Sequence, residues 1–296
     1  MARQQGWRIL LRVEDLDTPR VKPGVVESML RTLERLGLDW DHGPVIQSHH
    51  MEIYRDAMRT LAARGLVYES AHTRTELDDA AASEAASAPN EGAAESYFPA
   101  SLRPSVCGPV SFDQRAAATN WRLVVPEEEI TVDDVFAGTR TFRPDRTVGD
   151  FVVWTKRDQP AYQLAVVVDD ARQGVTRVVR GNDLLESAAR QRLIYRALGL
   201  GPIPVYCHLP LVRGADGRRL AKRHGDTRVE AYLARGVTPQ RLIALMARWS
   251  GIVPGTGGGP EAMTAAEFCG AFRLDTVPRN DITFTPEDDR WLLESV

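Results

Sequence analysis

AYQLAVVVDDARQGVTRVVRGNDLL, Ala161 to Leu185, is the stretch that decides the fold. Tyr162–Val168 and Val175–Val179 read as the clearest strands of the chain. The uninterrupted apolar run Ala165–Val168 suits a strand covered on both faces of a sheet. Asp183–Leu198 reads as a helix. Asn182 or Asp183 is placed to cap it, and Leu185, Ala189, Leu193, Ile194 and Ala197 form its inward stripe.

The same punctuation runs outward on both sides. Trp7–Val13 (WRILLRV) reads as a buried strand. Val25–Leu36 has helical spacing, with Gly37 at the position of a C-terminal cap. Tyr54, Met58 and Leu61 mark a helix that ends before Gly65, and Leu66–Tyr68 a short strand. Trp121–Val125, Asp150–Thr155 and Val205–Val212 read as strands, Gly214–Gly217 as a turn, and Val229–Arg235 and Pro239–Trp249 as helices. Gly255–Gly259 is a breaker. Asp78–Ser96, rich in Ala, Ser and Glu, reads as a weak helix followed by a loop. Strands alternating with helices point to a parallel α/β sheet. Residues 69–159 break that rhythm and read as an insertion. The expected division is therefore a split catalytic domain (1–68 and 160–212), an inserted α+β region (69–159), and a basic loop with a C-terminal helical region (213–296).

Composition narrows the class. The chain has 296 residues, 43% hydrophobic and 26% charged, the balance of a globular protein. Cys107, Cys207 and Cys269 lie far apart with no Cys-x-x-Cys pair, so neither a disulfide framework nor a zinc knuckle is indicated. A reducing, cytoplasmic setting is the resulting expectation. Arg8, Arg12 and Glu14 interrupt any signal-peptide core, and no run has the apolar length of a membrane span, so no membrane partner is expected. The net charge of -3 offers no global footprint for nucleic acid. The densest basic patch is Arg213, Arg218, Arg219, Lys222, Arg223, His224 and Arg228, which taken alone reads as a solvated face.

The candidate chemistry is ionic. Glu14 follows a strand, and ligands of open α/β sheets bind beyond the carboxyl ends of strands. A carboxylate there can receive an ammonium; read alone, the plainer reading is an exposed acidic turn. Tyr162 opens one expected strand and Arg180 closes the next, so both can face one crevice. Arg180 offers a planar fork for a carboxylate. The competing reading buries Tyr162 in the core and pairs Arg180 with Asp169 or Asp170. Lys222 is a flexible cation suited to moving phosphate charge, or simply a solvated lysine. His224 is a candidate base with no nucleophile beside it. Walker-type, dinucleotide-binding, His-Glu-x-x-His and Gly-x-Ser-x-Gly motifs do not occur.

Taken in order, RVEDLDTPR (Arg12–Arg20), AYQLAVVVDDARQGVTRVVRGNDLL and GRRLAKRHGD (Gly217–Asp226) resemble the catalytic core of class I glutamyl-tRNA synthetases. The last stretch resembles their KMSKS loop, with Arg219, Leu220, Ala221, Lys222 and Arg223 in its place. The wording around Tyr162–Asp170 is similar to the short branch of that family, the glutamyl-Q tRNA(Asp) synthetases, as is the lack of room for a helical anticodon-binding region. The resemblance implies a Rossmann-like parallel sheet with an inserted acceptor-binding region. It implies activation of glutamate by ATP with Mg2+, followed by esterification to the queuosine base of tRNA(Asp), by a monomer. It further implies that Glu14 holds the glutamate ammonium, that Tyr162 and Arg180 line the glutamate pocket, and that Lys222 stabilises charge on the α-phosphate and departing pyrophosphate. A fragment of a glutamyl-tRNA synthetase, or a catalytically silent tRNA-binding remnant, are the alternatives.

The chain departs from that pattern in places. The family's first strand, its PSPTG loop and its HIGH-like helix have no counterpart before Met1–Gly6, which leads to the expectation of an N-terminally truncated chain. Ser70, His72 and Ser101 stand where many members carry zinc-binding residues, and serine is a poor zinc ligand, so zinc is not expected. Ala221 replaces the usual loop serine.

Overall fold

A computed structural model of the chain describes residues 1–16, 23–72, 75–77, 97–105, 107–116, 119–218, 220, 227–252 and 260–294. They form two compact units, Met1–Ile46 with Pro210–Val296, and Gln47–Leu209.

The first unit opens with strand β1 (Leu10–Val13), helix α1 (Val25–Arg35) and strand β2 (His42–Ile46), the two strands pairing in parallel. β1 starts later than the expected Trp7. The Asp41 carboxylate takes the Ile9 N–H at 2.6 Å and the Arg3 guanidinium at 2.7 Å, while the Asp41 N–H bonds the Ile9 carbonyl, so the Asp41 side chain takes a backbone donor that a longer strand would have paired. Only Val13 of β1 is buried; the rest is half-buried, where a buried strand was expected. α1 ends as its sequence predicts: Gly37 is left-handed, its N–H bonds the Glu34 carbonyl, and the Leu38 N–H bonds that of Leu33. At Gly43 (φ 101°) the glycine is obligatory, because a Cβ would stand 2.2 Å from the Leu11 carbonyl oxygen.

The second unit carries helix α2 (Met51–Ala63), which buries Tyr54, Ala57, Met58, Leu61 and Ala62. An antiparallel sheet runs in the order β3 (Val67–Ser70), β4 (Asn120–Leu123), β7 (Val152–Thr155), β8 (Gln159–Pro160). A mixed sheet runs in the order β6 (Gly138–Phe142), β5 (Ile130–Asp134), β10 (Val205–Leu209), β9 (Arg177–Gly181). In it β10 is parallel to both β5 and β9. The one-turn helix α3 (Pro144–Thr147) precedes β7. This sheet joins strands from the expected inserted region (β5, β6) to strands from the expected catalytic region (β9, β10). The compact units therefore follow a different division from the one read in the sequence.

The main correction lies in the stretch that opened the reading. Tyr162–Gln173 is not a strand but helix α4, closed by left-handed Gly174. Every residue from Gln163 to Asp170 is buried, so this stretch has no solvent face, and the periodicity that separates helix from strand is erased within it. Its polar residues show what selects the helix. Gln163 donates to Ser187 on helix α5 (Leu185–Leu198) at 3.0 Å, and Asp169 accepts from Gln47 and from Tyr54 on α2 at 2.9 Å each. Those two positions are roughly 120° apart around a helix but on one face of a strand. Only the helix reaches both sets of partners.

A lesser correction concerns α5. It is entered through a 3-10 turn (Asn182–Leu184), so the N-cap position of the helix falls on Leu184 and not on Asn182 or Asp183. The expected strand Val205–Val212 is also interrupted: β10 ends at Leu209, Pro210 has no N–H to continue a ladder, and Val212–Arg213 (β11) belongs to the first unit.

In that unit β11 pairs in parallel with β12 (Ile282–Thr283). Helices α6 (Val229–Ala234), α7 (Pro239–Trp249), α8 (Ala265–Ala271) and α9 (Pro286–Leu293) complete it. Thr238 caps α7 ahead of Pro239, and Thr264–Glu267 and Thr285–Asp288 form capping boxes on α8 and α9. Leu36, Tyr232, Leu233, Val237, Leu242, Ile243, Leu245 and Leu292 form its core, so the C-terminal segment packs into this unit. Gly255–Gly259 and Asp78–Ser96 lie outside the described residues.

Candidate active site

Arg180 sits on β9 directly across from His208 on the parallel neighbour β10. Its Nε–H donates to His208 Nε2 at 2.9 Å, and its Nη2 donates to the Leu184 carbonyl at 3.2 Å. Its Cζ stands 5.2 Å from the centre of the Tyr206 ring, a cation–π distance. The alternative pairing with Asp169 is not adopted, since that carboxylate faces Gln47 and Tyr54.

Behind His208 lies Asp134, at the end of β5. The two side chains have no exposure, and His208 Nδ1 is 2.6 Å from Asp134 Oδ2. Because Nε2 accepts from Arg180, the ring proton is on Nδ1 and is donated to the carboxylate. Asp134 also accepts from the backbone N–H groups of Phe136, Ala137 and His208. Burial would raise the Asp134 carboxyl, but the Ala137 N–H, the His208 ring and the further backbone donors outweigh it and hold it below the usual carboxylate range. Burial pushes His208 below the usual imidazole range; its bond to Asp134 opposes this and the nearby Arg180 charge reinforces it. The imidazole is thus held neutral.

Tyr162 is the first residue of α4 and is 41% exposed, so it is not the core tyrosine of the competing reading. It lies within electrostatic reach of Tyr206, the ring on which Arg180 stacks. Burial pushes the Tyr206 hydroxyl up to about 12, with Arg180 pulling it down, Asp170 raising it, and Arg192 and Tyr162 also in electrostatic reach. The floor beneath is polar and closed: Gln191 donates to Gln163 at 3.0 Å, and Gln163 and Arg190 both donate to Ser187 at 3.0 Å. Tyr162 and Arg180, both named from the sequence, are thus both within electrostatic reach of Tyr206 in the second unit. Asp134, Tyr206 and His208 were missed. The only sequence signal was a histidine within the otherwise apolar Val205–Leu209, too common an event to single out.

Glu14 belongs to the first unit. It is exposed, just past the carboxyl end of the parallel strand β1 as expected, and accepts from Arg12 Nη2 at 3.3 Å. Lys222 lies outside the described residues, as do Arg219, Ala221, Arg223 and His224; Leu220 is a half-buried loop residue. The base of that loop is built as a turn, with the Gly217 N–H on the Gly214 carbonyl and Arg213 ion-paired to Asp281. That pair removes Arg213 from the free charge of the basic patch.

Among the described residues, no cluster of three or more His, Cys, Asp or Glu could hold a metal ion. Where the resemblance would put zinc ligands, the Ser70 hydroxyl is 3.1 Å from His72 Nδ1 and accepts from Arg122. A cleft of about 190 Å³ is lined in part by Tyr97, Phe98, Arg103, Asp145 and Asp150. It shares no residue with the Arg180 cluster. Its buried acid Asp150 is closed off by Arg103, the Tyr68 hydroxyl and the Val125 N–H.

Residues 1–287 match the family model described as tRNA synthetases class I (E and Q), catalytic domain. The chain is 40% identical to the glutamyl-Q tRNA(Asp) synthetase of Symbiobacterium thermophilum, over 97% of this chain and 88% of that protein. It is 32% identical to the glutamate–tRNA ligase of Geobacter sulfurreducens, over 99% of this chain and 59% of that protein. The crystal structure of glutamate–tRNA synthetase from Elizabethkingia anophelis superposes with a TM-score of 0.76 at 25% identity, covering 98% of this chain and 64% of that one.

Proposed function

The chain belongs to the class I tRNA synthetase (E and Q) catalytic-domain family, a family of aminoacyl-tRNA ligases, and from that premise we propose that it activates glutamate with ATP and esterifies it to the queuosine base of tRNA(Asp). A glutamate carboxylate oxygen attacks the α-phosphorus of ATP, the bond to the β-phosphate oxygen breaks, and pyrophosphate leaves. A hydroxyl of queuosine then attacks the activated carbonyl; it loses its proton, and AMP departs. No protein nucleophile is needed: the work is positioning and charge stabilisation.

In this reading Arg180 pairs with a glutamate carboxylate and Tyr162 lines the pocket. Glu14 receives the ammonium, and Lys222 follows charge onto the α-phosphate and pyrophosphate. Magnesium travels with the triphosphate, as is usual for an ion that keeps most of its water. The observation that carries the reading is the Arg180 guanidinium, oriented by neutral groups and stacked on Tyr206. The higher identity to the glutamyl-Q relative than to the glutamate–tRNA ligase supports the choice of acceptor.

The test is glutamate-dependent ATP–pyrophosphate exchange, followed by transfer of labelled glutamate to queuosine-containing tRNA(Asp) or to tRNA(Glu). Exchange with transfer to tRNA(Asp) alone is the expected result. Transfer to tRNA(Glu) would make the chain a glutamate–tRNA ligase, and tRNA binding without exchange would make it a silent binding module.

A further inference from the structure

We propose that His208 is the positioning residue of the substrate-binding arginine: held in its neutral Nδ1–H form by Asp134, it pins one edge of Arg180 so that the other edge presents a full positive charge to the substrate carboxylate. The inference rests on the reading above that Arg180 receives that carboxylate.

The geometry supplies the argument. A guanidinium can be gripped along its Nε–Nη2 side or across its Nη1–Nη2 end. In Arg180 the side is occupied: Nε–H goes to His208 Nε2 and Nη2 to the Leu184 carbonyl. Among the described residues, Nη1 has no hydrogen-bond partner, and with the second N–H of Nη2 it forms the edge left for a ligand. Both groups gripping the side are uncharged. A carboxylate in the place of His208 would hold the fork as firmly, yet it would cancel the charge that attracts the substrate. A neutral imidazole fixes the orientation without that cancellation.

The imidazole can do this only as one tautomer. With the proton on Nε2, two donors would face each other; with protons on both nitrogens, a second cation would abut Arg180. Asp134 settles the matter. It stands 2.6 Å from Nδ1, is itself fixed by three backbone N–H groups, and shares with His208 a fully buried environment. The stacked Tyr206 ring, centred 5.8 Å from the imidazole, limits its tilt. The groups facing His208 from its surroundings are Asp134 on β5, Arg180 on β9, the Leu184 carbonyl, which it shares with Arg180, and Tyr206 on its own strand.

Two substitutions separate positioning from mere structure. His208→Gln can place its amide oxygen near the position of Nε2 and still accept from Arg180. His208→Asn can place its amide near Nδ1, satisfying Asp134 but leaving the Arg180 Nε–H without its acceptor. In exchange assays on the full chain, His208→Asn should raise the glutamate KM by roughly tenfold or more, the loss of one charge-assisted hydrogen bond, with a smaller change in kcat. His208→Gln should recover most of that loss. Equal KM values for the two variants, or a loss confined to kcat, would overturn the proposal.

Imidazole 15N NMR of the wild-type chain decides the lock without any variant or substrate. The Nδ1–H tautomer at neutral pH is expected; an Nε2–H tautomer or an imidazolium would overturn it. Should the wild-type chain give no exchange, the glutamate reading fails, while the NMR result still supports or overturns the lock itself.

Discussion

Tyr54 donates its hydroxyl to Asp169 Oδ2 at 2.9 Å, tying α2 to α4 through a carboxylate that is 1% exposed. Gln47 donates to the same oxygen. A buried carboxylate is tolerable only when its lone pairs are satisfied, so these two donors are a condition for α4 to run where it does.

Tyr54→Phe keeps the ring and removes one bond to that carboxylate. It should lower the unfolding free energy by about 1.5–3 kcal/mol, the range for hydrogen bonds to charged groups. Urea denaturation of the variant against the wild-type chain measures it, and a loss below about 0.5 kcal/mol would mean that water takes the place of the hydroxyl.

Gly43→Ala should be strongly destabilising. The backbone there has φ 101°, and the added Cβ would stand 2.2 Å from the Leu11 carbonyl oxygen. That contact must be relieved by shifting β2 against β1, the strand that carries Glu14 at its end. Strained backbone of this kind costs on the order of 1–3 kcal/mol before any steric relief. A thermal melt matching wild type would show that the β1–β2 pairing is looser than the structure implies.

His208 gives stability a defined pH dependence. Its folded pKa lies below the ordinary value of 6.5, so as pH falls below 6.5 the unfolded chain takes up a proton that the folded chain refuses. The folded state therefore loses stability on acidification from about pH 6.5, and the loss levels off once pH passes below the folded value. Asp134, also depressed in the folded state, adds a separate loss only as pH drops below its ordinary value of 3.8. Denaturation curves across pH 4.5–7.5, an interval set by those two values, should slope in wild type and be flatter in His208→Gln. Parallel slopes would assign the dependence to another group.

Arg180→Ala and Lys222→Ala should fail at different steps. Removing the guanidinium should weaken glutamate binding by about 2–5 kcal/mol, as for a buried charge partner. Removing the ammonium should leave that binding within about twofold and slow exchange by roughly a hundredfold or more, the scale of a lost transition-state contact. Equilibrium binding of glutamate beside exchange rates distinguishes them; matching losses in binding alone would contradict both assigned roles.

Much of this was legible in the chain of residues. The turn of α1 into Gly37, the start of α7 at Thr238–Pro239 and the place of Glu14 past β1 all follow from neighbours within a turn or two, where propensity, capping and glycine chemistry act. The ordered motifs likewise pointed to the right family, because they are local words. What tertiary structure alone decided has longer reach. Tyr162–Gln173 became a helix because burial on every side removed its periodic signal and left the choice to Gln47, Tyr54 and Ser187 on other elements. Arg180 could be named as a fork from its strand, but its partner could not, since Asp134 and His208 are brought to it only by the pairing of β5, β10 and β9. A hydrogen bond falls off within an ångström, so which remote residue completes it depends on strand register, and register belongs to the folded sheet.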